Sequence, residues 1–116
     1  MTDDLQALIS ALRNFARERD WEQFHAPKNL AAALSVEAAE LLEHFQWMSE
    51  DQSRQLSDEK KNEVAQELAD VFLYLLQLSD KLDVDLIKAA WSKFDANAAK
   101  YPIDRAKGSS KKYTEI

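Results

Sequence analysis

Apolar residues along this chain recur every three or four positions, and nowhere do they alternate over a stretch long enough to make a strand. Leu5, Leu8, Ile9, Leu12, Phe15 and Ala16 form one stripe, which predicts a first helix over residues 3–19. Thr2 is placed to cap it, and Asp3 and Asp4 suit the positive end of its dipole. An aromatic-rich connection follows, Trp21 to His25, up to Pro27. Proline disfavours helix at the residue before it, so a second helix is expected over residues 28–48, with Leu30, Leu34, Ala38, Leu41, Leu42 and Phe45 inward. Residues 49–56 are polar and read as a loop. Ser57, with Asp58 and Glu59 behind it, opens a third helix to residue 81. A fourth, capped by Asp83, carries Leu86, Ile87, Ala90, Trp91 and Phe94 and ends before Tyr101 and Pro102.

This pattern predicts an all-α four-helix bundle. Residues 1–102 make one helical catalytic domain, and residues 103–116 a short, polar, flexible tail. The third helix is apolar nearly all round from Leu68 to Leu78. Such a helix buries more than one face, and four short helices supply too little cover. A homo-oligomer, dimer or tetramer, is therefore expected.

Composition narrows the chemistry. The chain has 116 residues, one glycine, two prolines and no cysteine. Without thiolates, a metal must be held by oxygen or imidazole. The net charge of −6 argues against binding a nucleic-acid polymer, whose phosphates an acidic surface repels. No apolar run approaches the roughly 20 residues that span a bilayer, and the acidic opening does not suit a signal peptide. The expected setting is the cytoplasm.

Two acidic pairs stand out. Glu37 and Glu40 lie on the second helix, and Glu67 and Asp70 on the third. A spacing of three puts both carboxylates of a pair on one helix face. Glu37 shares its face with Leu34 and Leu41, and Glu67 with Val64 and Val71, so each pair points toward the core. A carboxylate there is costly unless paired or bound to metal. If the two helices pack antiparallel, four carboxylates meet, and a hard divalent cation such as Mg2+ relieves their repulsion. Either pair alone reads first as a solvated helix face. The conjunction of both with core positions sets a site level with that reading and leaves the two open.

Other groups are compatible with a phosphate or nucleotide site without demanding one. Lys93 and Asn97 are one turn apart. Trp21, Trp47 and Tyr74 can stack on a base, although each alone reads first as core or interface packing. Glu22 and His25 have the spacing used in di-iron bundles, but that motif stands alone. His44 belongs to no ligand motif and reads as a surface or interface residue.

Taken together, the acidic pairs resemble those of the MazG-like all-α NTP pyrophosphohydrolases. The strings RDWEQFHAPKNLAAALSVEAAELLEHFQW, ELADVFLYLLQL, SKFDANAAKYP and SSKKYTE are similar to the dCTP pyrophosphatase branch of that family. The resemblance runs from about Phe15 to the C-terminus. It implies Mg2+ bound by Glu37, Glu40, Glu67 and Asp70, one of which, or the metal, activates the attacking water. It implies base contacts from Trp21 and Trp47, a sugar or base contact from Tyr74, triphosphate contacts from Lys93 and Asn97, and His25 lining the pocket. The implied reaction converts a nucleoside triphosphate, dCTP or a modified dCTP, to the monophosphate and pyrophosphate, as house-cleaning of the nucleotide pool. Leu12 departs from the pattern, since some relatives carry a pocket histidine there, and this leaves base selectivity open.

Two rival readings remain. A non-catalytic helical protein–protein interaction module accounts for the apolar helices but makes no use of the four carboxylates. A di-iron redox bundle needs paired E-x-x-H motifs that the chain lacks.

Overall fold

Two helices, one at the start of the chain and one after the first connection, pack against a third and longer one. The computed structural model describes residues 3–116. Its α-helices are α1 (Asp3–Glu18), α2 (Pro27–Glu43), α3 (Glu50–Arg54), α4 (Asp58–Lys81), α5 (Leu86–Lys100) and α6 (Ile103–Ala106), with 3-10 turns at Glu22–Phe24 and Tyr113–Glu115. No strand occurs among the described residues. The all-α expectation holds. The expected number of four helices does not, because two short helices, α3 and α6, are added. The cap expected at Thr2 lies outside the described residues.

Residues through Val84 form one compact unit and Asp85–Ile116 another. In the first unit, α1 and α2 both pack against α4. Leu5, Ile9 and Ala16 of α1, Leu30 of α2, and Val64 and Leu76 of α4 are buried. Burying one such leucine contributes about 1.5–3 kcal/mol relative to leaving it exposed. The Ser79 hydroxyl, also buried, donates to the Leu76 carbonyl at 2.9 Å.

The helix ends follow local chemistry. Ser57 caps α4 by accepting from the Lys60 amide at 3.1 Å. Pro27 is the first residue of α2, where its missing N–H is not needed and its fixed φ suits the helix. Both α1 and α4 stop in the same way. Asp20 and Asp83 adopt φ of 54°. Asp20 N–H bonds to Arg17 and Trp21 N–H to Ala16; Asp83 N–H bonds to Asp80 and Val84 N–H to Ser79. These are paired Schellman closures with aspartate in the place glycine usually takes.

That explains one shifted boundary. Asp83 is spent ending α4, so the cap of α5 is Asp85, whose side chain accepts from the Lys88 amide at 3.1 Å. A second shift lies after α2, which ends at Glu43 rather than near Met48. There His44 N–H bonds to Leu41 and Phe45 N–H to Leu42, the tighter i→i−3 winding that closes a helix. A third is α3, in residues expected to be loop. Ser49 and Gln52 form a reciprocal capping box there.

In the second unit α5 is followed by α6 and the C-terminal 3-10 turn. The Tyr101 and Tyr113 rings meet edge-on at 6.1 Å, and Lys100 lies 4.9 Å from the Tyr113 ring centre. The segment expected to be a flexible tail thus carries short helical elements. No helix among the described residues is long and apolar enough to cross a membrane.

Candidate functional site

The acidic pairs face each other because α2 and α4 run in opposite senses. His44, just past the end of α2, lies near Glu67, while Glu37, two turns earlier, meets both Glu67 and Asp70. One carboxylate oxygen from each of Glu37, Glu67 and Asp70 falls within 4.8 Å of the others. Glu37 and Glu67 are half-buried and Asp70 is exposed. The Oε2 atoms of both glutamates are buried without a hydrogen-bond partner. Such orphaned acceptors are rare, because each carries a desolvation penalty of roughly 1–3 kcal/mol.

Glu40 is half-buried one turn along α2 and belongs to the edge of the group rather than to the tight triad. Burial above all, then the adjoining Glu40, then Asp70 and Glu67, push the Glu37 carboxyl up to about 7. Around neutrality this group is therefore held between its charged and neutral forms, by burial first and by the neighbouring carboxylates second. Oxygen donors only, three of them converging, two unpartnered: this set fits a hard divalent cation.

His44 was not expected here. Its Nε2 stands 3.8 Å from Glu67 Oε1, with both side chains largely buried. The only sequence signal was its helical register, seven positions after Glu37.

A cavity of about 290 Å3 opens beside Asp70. Leu73, Tyr74 and Gln77 of α4 form one wall, Leu12 and Phe15 of α1 another, and Trp21 and His25 of the connection a third. The left-handed turn at Asp20 brings the connection back over α1, where Trp21 packs edge-on against Phe15 at 5.7 Å. Asn29 Nδ2 donates to the Phe24 carbonyl at 3.0 Å and ties the connection to the first turn of α2. Trp21 remains 45% exposed, so its indole is available to a ligand. A smaller hollow of about 30 Å3 adjoins Leu12, His25 and Gln77 and has room for little more than a water.

The expected binding residues thus separate. Trp21, His25 and Tyr74 line the cavity together with Asp70. Trp47 does not line it and is 89% exposed. Lys93 and Asn97 belong to the second unit, where both are exposed on α5. Gln77 lines the cavity although the sequence reading did not single it out; its signal was the spacing from Asp70 and Tyr74 on one face of α4.

Comparison with known proteins bears on this geometry. The model of the MazG-like family matches residues 32–116. The chain is 45% identical over 104 residues to dCTP pyrophosphatase 1 of Rattus norvegicus and to that of Homo sapiens, covering 88% of this chain and 61% of each relative. It therefore spans about three-fifths of the length of these relatives. Among solved structures, a pyrophosphatase from Archaeoglobus fulgidus superposes with a TM-score of 0.82 at 42% identity, covering 88% of this chain and 95% of that one.

Proposed function

The chain belongs to the MazG-like family, and from that premise we propose that it is a Mg2+-dependent pyrophosphohydrolase that converts dCTP, or a modified dCTP, to the monophosphate and pyrophosphate. The observation that carries this reading is the junction of two features: three carboxylates within 4.8 Å, and an aromatic-walled cavity sharing Asp70 with them. The dCTP pyrophosphatase activity for which the relatives are named supports the substrate.

In this reading Glu37, Glu67 and Asp70 hold the cation, with Glu40 completing the set. Bound Mg2+ supplies neutralisation of phosphate charge and a lowered pKa for the attacking water. A carboxylate of the cluster would accept the proton of that water as its oxygen attacks a phosphorus of the α–β bridge, the bridging P–O bond breaks, and the monophosphate and pyrophosphate part. Trp21 and Tyr74 sandwich the base or sugar, and His25 lines the same pocket. Lys93 and Asn97 meet the triphosphate, and Lys93 stabilises its negative charge.

The protein acts as a homo-oligomer. Leu68 and Phe72 of α4 are 53% and 43% exposed, and Val36 and Leu42 of α2 are 56% and 60% exposed. Large apolar side chains in such number suit an interface between copies. Trp47 is then a base contact delivered once copies associate. The role is removal of surplus or modified dCTP from the cytoplasmic nucleotide pool.

A hydrolysis screen over the canonical and 5-modified dNTPs with Mg2+ tests this reading. It predicts pyrophosphate and the monophosphate from dCTP; no turnover of any triphosphate would refute it and leave the interaction module standing.

A further inference from the structure

The acidic group between α2 and α4 has a single basic neighbour. Among the described residues, no ion pair joins a lysine, arginine or histidine to Glu37, Glu40 or Asp70, and Glu67 has His44 alone. His44 Nε2 stands 3.8 Å from Glu67 Oε1, and both side chains are largely buried. The other oxygen of that carboxylate, Oε2, is buried without a hydrogen-bond partner. Glu67 thus has one oxygen beside an imidazole and one with no donor at all.

The way α2 ends puts His44 there. Its backbone N–H bonds to the Leu41 carbonyl and that of Phe45 to Leu42, which tightens the last turn two turns beyond Glu37. His44 is not one of the three residues whose donor atoms converge within 4.8 Å, so it adjoins the group without joining it. An imidazole carries at least one ring N–H whether or not it is charged. An acceptor at Nε2 favours the tautomer with the hydrogen on that nitrogen. A carboxylate that gives one oxygen to a cation still turns about its last bond unless the other oxygen is held. Neighbours that hold a ligand in this way typically change metal affinity by roughly 10–100-fold.

We propose that His44 is a positioning residue, which holds Glu67 Oε1 through its Nε2–H and leaves Oε2 to the cation. The proposal rests on the reading of the carboxylates as a Mg2+ site. At 3.8 Å the approach is longer than a hydrogen bond of about 2.9 Å, and ordering of Glu67 by a cation closes it.

Binding of Mn2+ alone, without nucleotide, is the test. Mn2+ takes the same oxygen ligands as Mg2+, and the free ion is counted by EPR. Wild-type protein is expected to bind Mn2+ and to release it to excess Mg2+. His44→Phe keeps a ring and removes both nitrogens; His44→Gln keeps an N–H at the same number of bonds from the backbone. His44→Phe should weaken Mn2+ binding by roughly tenfold or more, and His44→Gln should restore most of it, with melts in EDTA showing both variants folded. His44→Leu takes the place of His44→Phe if the larger ring unfolds the chain. Equal affinity in wild type and the folded variant without nitrogens would overturn the proposal. Equal losses in that variant and in His44→Gln would also overturn it, because they mark a packing role. So would a loss of Zn2+ binding much larger than the loss of Mn2+ binding, which would make His44 itself a ligand. These three results leave the metal reading intact, whereas wild-type protein that binds no Mn2+ would remove that reading and the proposal with it.

Discussion

Glu37 on α2 and Glu67 on α4 each bury an Oε2 atom that no hydrogen bond reaches, and both lie within 4.8 Å of Asp70 through a carboxylate oxygen. The fold thus concentrates negative charge where solvent cannot fully screen it. Structural sites rarely tolerate this, whereas a site awaiting a cation requires it.

Removing one of these charges separates catalysis from stability. Glu37→Gln and Asp70→Asn are expected to abolish turnover while the metal-free protein keeps or gains stability, because each relieves repulsion. The Glu37 effect depends on pH in a defined sense. An acid whose pKa rises on folding binds more protons folded than unfolded. Its contribution is fully present below the ordinary value of 4.5 and is lost as pH climbs to about 7. In EDTA, the melting temperature of Glu37→Gln should therefore rise relative to wild type between those limits and level off above them. A gap that narrows with rising pH would contradict the assignment.

Trp47 is 89% exposed, so truncating it opens no cavity within the chain. Trp47→Ala should leave the melting temperature of the separated chain unchanged. If the indole stacks on the base, KM rises roughly ten- to hundredfold with kcat nearly constant. A KM equal to wild type would take Trp47 out of the binding site.

Arg13 Nε donates to Asp80 Oδ2 at 2.8 Å, and its Nη2 bonds the other carboxylate oxygen. This pairing, joining α1 to α4, holds the Asp80 carboxyl below its usual 3.8. A lowered acid stabilises the fold above its unfolded pKa, and that stability is lost as pH falls through the folded value. Asp80→Asn should melt earlier than wild type at pH 7, and the two curves should converge as pH falls below 3.8 and through the lowered folded value. A constant gap across acid pH would show that packing, not the ion pair, is responsible.

Asp83 occupies a left-handed conformation at φ 54°. Glycine adopts it without strain, whereas alanine keeps the Cβ and gains no local hydrogen bond; the difference is about 1 kcal/mol. Asp83→Gly should melt at or above wild type, and Asp83→Ala a few degrees lower. The reverse order would mean that the aspartate side chain, not the backbone, sets this helix end.

The helices were legible because their signals are local. The stripe from Leu5 to Ala16, the cap at Ser57 and the break at Pro27 can each be read within one or two turns of chain. The meeting of Glu37 with Glu67 and Asp70 was inferable only by assuming antiparallel packing of two neighbouring helices. What escaped was set by distance or by double use. Ser49 and Gln52 carry a capping box, but their polar surroundings resemble a loop. Asp83 looks like an N-cap until α4 claims it as a terminus. Register alone does not reveal whether His44 reaches Glu67 or whether Trp47 stays outside the cavity, since both depend on where α2 stops winding. Gln77 was overlooked because a glutamine among leucines reads as an interruption of the core, and only the packing of α1 and the connection against α4 puts it on a cavity wall.

Phosphorus NMR of dCTP incubated with the purified protein tests the central claim most directly. With Mg2+, the three triphosphate signals should be replaced by those of dCMP and pyrophosphate. No change should occur in EDTA, nor with Asp70→Asn in Mg2+. Release of orthophosphate, or full conversion by Asp70→Asn, would contradict the account.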